Sequence, residues 1–148
     1  VLAANWEGKI KTFDSTERLL LELDETVKYI DSYGIKTYIV GDVPQFDFDP
    51  QRCKFQRPLT QNTKCDAPID LYFKSQRVYV PTFEEVLRQN TQTSYVDPTH
   101  WMCNQKDCSM VHDGMLMYRD GNHLNIQGSK YVAGEILKQY PDLDFRIK

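Results

Sequence analysis

The feature that most constrains this chain is one amphipathic stretch set between two short apolar runs. After Asp14-Ser15-Thr16, the residues Leu19, Leu20, Leu23, Val27 and Ile30 recur at three- and four-residue spacing, the period of a helix that buries one face. Asp14 or Ser15 suits its start as a cap, and Gly34 suits its end. The β-branched run Ile35-Lys36-Thr37-Tyr38-Ile39-Val40 follows at once, and Val1-Leu2-Ala3-Ala4-Asn5-Trp6 precedes it as a strand already in progress. Strand, helix and strand in that order form a crossover unit, and a crossover pairs its strands in parallel. The first forty residues therefore predict an α/β fold.

Composition narrows the function classes. A chain of 148 residues fits one domain, and 41% apolar with 12% aromatic residues supplies a core. The 18 Lys and Arg against 21 Asp and Glu give a net charge of −3 without a basic block, so no nucleic-acid partner is expected. No apolar run approaches the roughly 18 residues of a membrane span; Leu19-Leu20-Leu21 is typical of the short clusters present. The opening residues carry no initiator Met, basic n-region or signal-type apolar segment, so the chain is expected to be a piece of a longer protein.

Further along, Gly41 to about Pro68 loses periodicity and reads as a long surface excursion stapled by cysteines. A helix is predicted over Thr82 to Asn90 after Pro81, with Phe83, Val86 and Leu87 inward, then a strand near Ser94-Tyr95-Val96 ending at Asp97-Pro98. Met115-Leu116-Met117-Tyr118 reads as a strand and Asp120-Gly121-Asn122-His123 as a turn. Asn125 then caps a last helix whose Ala133, Ile136, Leu137 and Tyr140 face inward until Pro141.

The four cysteines fall in two local pairs, Cys53 with Cys65 and Cys103 with Cys108, without a C-x-x-C spacing. Two disulfides in an oxidising compartment are the favoured reading; of the three possible connectivities the local one is simplest, because short loops close most easily. The rival is a zinc site from Cys103, Cys108 and His112. Asp47-Phe48-Asp49 has no metal-ligand spacing, and no metal or cofactor is predicted.

A histidine serves as a general base when a carboxylate fixes its tautomer and stabilises the imidazolium formed at the other nitrogen. An Asp three residues before the His supplies that contact on one turn. Chance placement predicts about 0.3 Asp-x-x-His matches in such a chain, and there are two, Asp97/His100 and Asp120/His123. The second lies between a short apolar strand and a capped helix, the place where ligands bind at the edge of open α/β sheets. The first breaks at Pro98 into the cysteine loop, where Asp97 reads as a turn residue and His100, beside Trp101, as packing. His112 beside Asp113 reads as solvated loop.

The run Tyr118-Arg119-Asp120-Gly121-Asn122-His123-Leu124-Asn125-Ile126-Gln127-Gly128 resembles the last block of SGNH hydrolases: Asp-x-x-His, Leu, a capping residue and a downstream Gly. The wider pattern is similar to the periplasmic SGNH domain attached to bacterial membrane acyltransferases of the O-antigen acetylase type. It comprises Ala3-Ala4-x-Trp6, Val40-Gly41-Asp42-Val43-Pro44-Gln45-Phe46, Pro50 with Cys53, and Asp97-Pro98 before Cys103 and Cys108. The resemblance implies a flavodoxin-like three-layer sandwich with a mostly parallel sheet, His123 as general base and Asp120 as its orienting carboxylate. It implies transfer of an acyl group to or from a sugar hydroxyl, a glycan acceptor, and an acyl donor delivered by the membrane domain of a parent protein.

The family takes its nucleophile from a Gly-Asp-Ser near the domain start, and no such triplet occurs here; Gly41-Asp42-Val43 lacks the hydroxyl. The resemblance therefore implies a partial SGNH-type domain over 1–148, with the serine and the first strand upstream of Val1 and the isolated chain inactive. The family's Gly-x-Asn-Asp block corresponds to Ala4-Asn5-Trp6, which makes Asn5 the candidate oxyanion donor. Phe46, Phe48 and Trp6 are candidates for stacking on sugars or for simple packing. Two other functions remain open: a carbohydrate esterase with the same residues, and a non-catalytic glycan-binding or scaffolding module.

Overall fold

The computed structural model describes residues 1–13, 15–54 and 65–143. Its elements in chain order are β1 (Leu2–Ala3), α1 (Trp6–Phe13), α2 (Thr16–Asp31), β2 (Thr37–Val40), α3 (Gln51–Lys54), β3 (Asp66–Pro68) and α4 (Ile69–Gln76). There follow α5 (Val80–Gln89), β4 (Thr93–Val96), α6 (Thr99–Met102), β5 (Asp107–Ser109), β6 (Val111–His112), β7 (Met115–Leu116) and α7 (Ile126–Gln139). The chain forms two compact units: Val1–Asp42 with Asp70–Pro98, and Val43–Ile69 with Thr99–Lys148. No helix among the described residues is long and apolar enough to cross a membrane.

The first unit is the predicted crossover. Ser15 caps α2 by accepting from the Arg18 N–H at 3.0 Å, while Asp14 lies outside the described residues. Leu19, Leu23 and Val27 are the buried stripe of α2, and Gly34, with φ +69°, takes the left-handed turn after it. The sheet order is β1-β2-β4, all parallel, with Leu2 opposite Ile39 and Thr37 opposite Thr93. Ile39 packs with Trp6, Leu19, Leu23, Val27, Tyr79, Phe83 and Val86, so strand, crossover helix and α5 share one core. Three sequence expectations shift here. Trp6 begins a helix rather than ending a strand, because Asn5 caps it through the Gly8 N–H at 2.8 Å. Ile35 precedes β2 and is exposed, and Leu87 is only half-buried. Helix α4 was not anticipated, since no element was read between Pro68 and Pro81.

The second unit is built from short antiparallel pieces and disulfides. Strands β3 and β5 pair antiparallel with Ala67 opposite Cys108, and Pro68 sits at the strand end where its missing N–H costs least. Cys53–Cys65 and Cys103–Cys108 are disulfide-bonded with Cα separations of 5.6 and 3.9 Å, which removes Cys103 and Cys108 from any zinc site. Met115-Leu116 is a strand, but in a β6–β7 hairpin and not in the parallel sheet. The cause is local: Asp113 and Gly114 both have positive φ, the two-residue turn that reverses a chain. Met110 and Met117, joined by a 2.8 Å backbone bond, are fully buried in this unit, and α7 buries Gly128, Val132 and Ile136. Leu137, expected inward, is exposed. Of the predicted excursion, residues 55–64 lie outside the described residues.

Candidate active site

The turn between Tyr118 and Asn125 is fixed at both ends. Tyr118 and Leu124 form an antiparallel bridge, and the Arg119 N–H donates to the His123 carbonyl at 2.9 Å. Asn125 closes it: its N–H donates to Met117 O at 2.9 Å, its Nδ2 donates to Leu116 O at 2.6 Å, and its Oδ1 accepts from Gly128 N–H at 2.9 Å as the cap of α7. Gly128 must be glycine, since a Cβ there would collide with the Met117 carbonyl. Hairpin, turn and helix start are thus locked together within a dozen residues.

Inside this frame Asp120 and His123 meet. The Asp120 Oδ1 accepts from the backbone N–H of Asn122 at 3.1 Å and of His123 at 2.8 Å, and both carboxylate oxygens lie 3.0 Å from His123 Nδ1. The Asn122 N–H, with His123 adding to it, holds the Asp120 carboxyl down to about 2. An ionised acceptor at Nδ1 selects the tautomer protonated there and leaves Nε2 free of the carboxylate to take a proton. The His123 side chain is 60% exposed, so a substrate can reach it. The Arg119 guanidinium sits 3.4 Å from Asp120 Oδ2.

A concave site of about 320 Å³ adjoins the pair, lined by Phe46, Asp47, Phe48, Asp49, Pro50, Asp120 and Gly121. Phe46 and Phe48 are the two sequence candidates for stacking on sugars that lie on this wall, whereas nothing in the sequence ties Asp47, Asp49 and Pro50 to a turn so far along the chain. The wall is fastened there by the Phe46 N–H donating to Gly121 O at 2.7 Å and by Tyr118 OH donating to Pro44 O at 2.9 Å. Phe46 packs edge-on to Tyr118 and to Phe48, with ring centroids 5.0 and 5.3 Å apart. The Arg52 guanidinium lies 3.2 Å from the centre of the Phe48 ring.

The other candidates fall elsewhere. Asp97 accepts from Gln76 Nε2 at 3.3 Å, while His100 lies on α6 and is exposed rather than packed. His112 is not loop: it belongs to β6, stacks 4.2 Å from the Tyr131 ring and approaches Asp113 at 3.4 Å. Asn5 is exposed at the end of β1, and its cap on Gly8 leaves the amide Nδ2 as a donor. Trp6 is buried in the core, its indole N–H on Val40 O at 2.6 Å, and so cannot stack on a sugar. Asp42, at the end of β2, is buried and accepts through both oxygens from the Trp6 N–H at 3.2 Å. Burial pushes its carboxyl above the ordinary range. Among the described residues no group of three or more His, Cys, Asp or Glu converges as metal ligands, and no serine hydroxyl is bonded to His123.

No curated protein and no solved structure matches the chain. The family described as SGNH domain (fused to AT3 domains) matches residues 1–138, which include the Asp120–His123 turn and both disulfides. A mixed α/β chain with a three-stranded parallel sheet and this match over nearly its whole length belongs to the SGNH family, in the group whose SGNH domain is fused to acyltransferase domains.

Proposed function

We propose that this chain is the greater part of a periplasmic SGNH domain of a membrane-anchored O-acyltransferase that acylates cell-surface polysaccharide, most simply with acetyl groups. The observation that carries the reading is the exposed His123 ring held at Nδ1 by an Asp120 carboxylate that two backbone N–H groups keep ionised. That arrangement supplies a general base and nothing else, so a nucleophile has to come from outside the turn.

In this reading the nucleophile is a serine preceding Val1, within the same domain. Its Oγ attacks the carbonyl carbon of the acyl donor while His123 Nε2 takes the hydroxyl proton. Asp120 stabilises the imidazolium, and the collapsing tetrahedral intermediate expels the donor's leaving group, which takes the proton back from Nε2. The acyl-serine then passes its acyl group to a glycan hydroxyl by the same steps, with Nε2 deprotonating that hydroxyl. Asn5 Nδ2 is the proposed oxyanion donor: its amide oxygen is committed to the Gly8 N–H, so the nitrogen is the atom left to donate. The acyl donor arrives from the membrane acyltransferase domain, and the isolated chain is inactive.

The test is labelling of the full-length parent with a serine-directed fluorophosphonate, alongside a His123→Ala variant. Label on a serine upstream of Val1, lost in the variant, is the expected result. Absence of label in a well-folded parent overturns the catalytic reading and leaves a glycan-binding module. Product analysis with and without glycan separates acyl transfer from hydrolysis, since water and a sugar hydroxyl differ only as the second nucleophile.

A further inference from the structure

The groove beside Asp120 has a composition that restricts what can lie in it. Its side-chain polar groups are Asp47, Asp49 and Asp120, all hydrogen-bond acceptors when ionised, and its apolar wall is Phe46, Phe48 and Pro50. Among the described residues no cationic side chain lines it, and the two guanidinium groups beside it are engaged, Arg52 on the face of Phe48 and Arg119 at 3.4 Å from Asp120. The three carboxylates do not converge on a cation site. A ligand that fits must donate hydrogen bonds, present C–H faces to aromatic edges and carry no negative charge.

We propose that this groove is the acceptor subsite of the Asp120–His123 centre, that it takes a neutral sugar residue, and that Asp47 and Asp49 reject anionic glycans. The inference rests on the acyl-transfer reading above for its acceptor, but on the groove alone for its ligand class. Sugar hydroxyls donate to the exposed carboxylates of Asp47 and Asp49, and the ring's C–H face meets the aromatic wall. A uronate or phosphate-bearing sugar brings its charge beside carboxylates that repel it, and specificity follows from that repulsion. The wall is not an arbitrary neighbour of the centre. The Phe46–Gly121 backbone bond and the contact of Gly121 with the Phe46 carbonyl fix it one residue from Asp120. On its far side Asp49 caps α3 through the Gln51 N–H at 2.7 Å, and the Cys53–Cys65 bond holds α3 to the start of β3.

The experiment is an amide-resolved NMR titration of the ¹⁵N-labelled chain. The probes are neutral trimers of glucose, rhamnose and N-acetylglucosamine, with trigalacturonate as the anionic comparator. The expected result is that at least one neutral trimer shifts the amides of residues 46–50 and of Asp120 and Gly121, with trigalacturonate weaker by about tenfold. The Asp47→Asn, Asp49→Asn double variant should close most of that gap, because it removes the charge that repels trigalacturonate, while the neutral trimers bind more weakly for want of the carboxylate acceptors. If no neutral trimer shifts these amides, if the shifts fall elsewhere, or if trigalacturonate binds as tightly to the unmodified chain, the proposal fails. His123→Ala separates this from the acyl-transfer reading: it should leave trimer binding intact and abolish transfer in the parent. Retained transfer would sink the catalytic reading while leaving the groove result to stand or fall by itself.

Discussion

The Phe46 N–H donates to the carbonyl of Gly121 at 2.7 Å, and a Cβ on Gly121 would collide with the Phe46 carbonyl oxygen. The glycine of Asp120-Gly121-Asn122-His123 is therefore set by packing from a distant segment and not by its own backbone angle. Gly121→Ala should push the Phe46 segment off the turn and cost about 1–3 kcal/mol, the range of an overpacked contact. Chemical denaturation gives the stability loss, and transfer activity in the parent should fall with it. A fully stable and active variant would show that the segment does not buttress the turn.

Asp120→Asn separates orientation from charge. The amide oxygen can still accept from the Asn122 and His123 N–H groups, so the turn should persist, but the imidazolium loses its counter-charge. Transfer by the parent should drop by about 10²–10⁴-fold with stability little changed. The pH dependence follows from the same contacts. With the Asp120 carboxyl held down to about 2 from 3.8, its stabilising contribution is complete above 3.8 and disappears only as pH falls through about 2. Carboxyl-carbon NMR of Asp120 should show titration near that low value, and an inflection at or above 3.8 would contradict the hydrogen-bonded geometry.

How much of this was legible in the sequence depends on the range of the contact. The α2 stripe of Leu19, Leu23 and Val27, the Ser15 and Asn125 caps and the Asp120–His123 pair are contacts within four residues, and a linear pattern displays them directly. The parallel β1–β2 pair was legible because a crossover leaves little choice. Two local signals were present but overridden by neighbours. Asn5 with acidic Glu7 and basic Lys11 marks a helix, yet the apolar Val1 to Ala4 run read through it as strand. Asp113-Gly114 marks a hairpin, yet Met115 to Tyr118 read as a sheet strand. Of the groove only Phe46 and Phe48 were legible, as candidates for stacking on sugars; its attachment to the turn was not, because Tyr118 meets Pro44 across 74 positions and nothing in either segment names the other.

The two disulfides should contribute unequally. Cys53 and Cys65 are separated by 12 residues and Cys103 and Cys108 by 5, and a longer closed loop removes more entropy from the unfolded chain. Replacing the first pair with Ala should cost about 3 kcal/mol and the second about 2 kcal/mol on that loop-closure scale. Denaturant midpoints of the two double-Ala variants measure this. The first pair should also weaken trimer binding in the groove, since it secures the helix that follows Asp49, whereas the second should not. Equal stability losses would argue that native-state contacts, not loop length, set the values.

Asp42 provides a stability handle of the opposite sign to Asp120. Its carboxyl is buried at the N-terminus of α1 and accepts from the Trp6 N–H, and burial outweighs those bonds to raise it above 3.8. A carboxyl raised in the folded state favours folding most when protonated, so its contribution is complete below 3.8 and is lost as pH rises through the higher folded value. Asp42→Asn keeps an acceptor for Trp6 and cannot ionise. The stability advantage of the unmodified chain over this variant should therefore shrink as pH rises from the unfolded value towards neutrality. Urea denaturation of both chains at stepped pH reads the difference directly, and a difference that grew with pH would mean that the backbone bonds to the Asp42 carboxyl outweigh burial at this site.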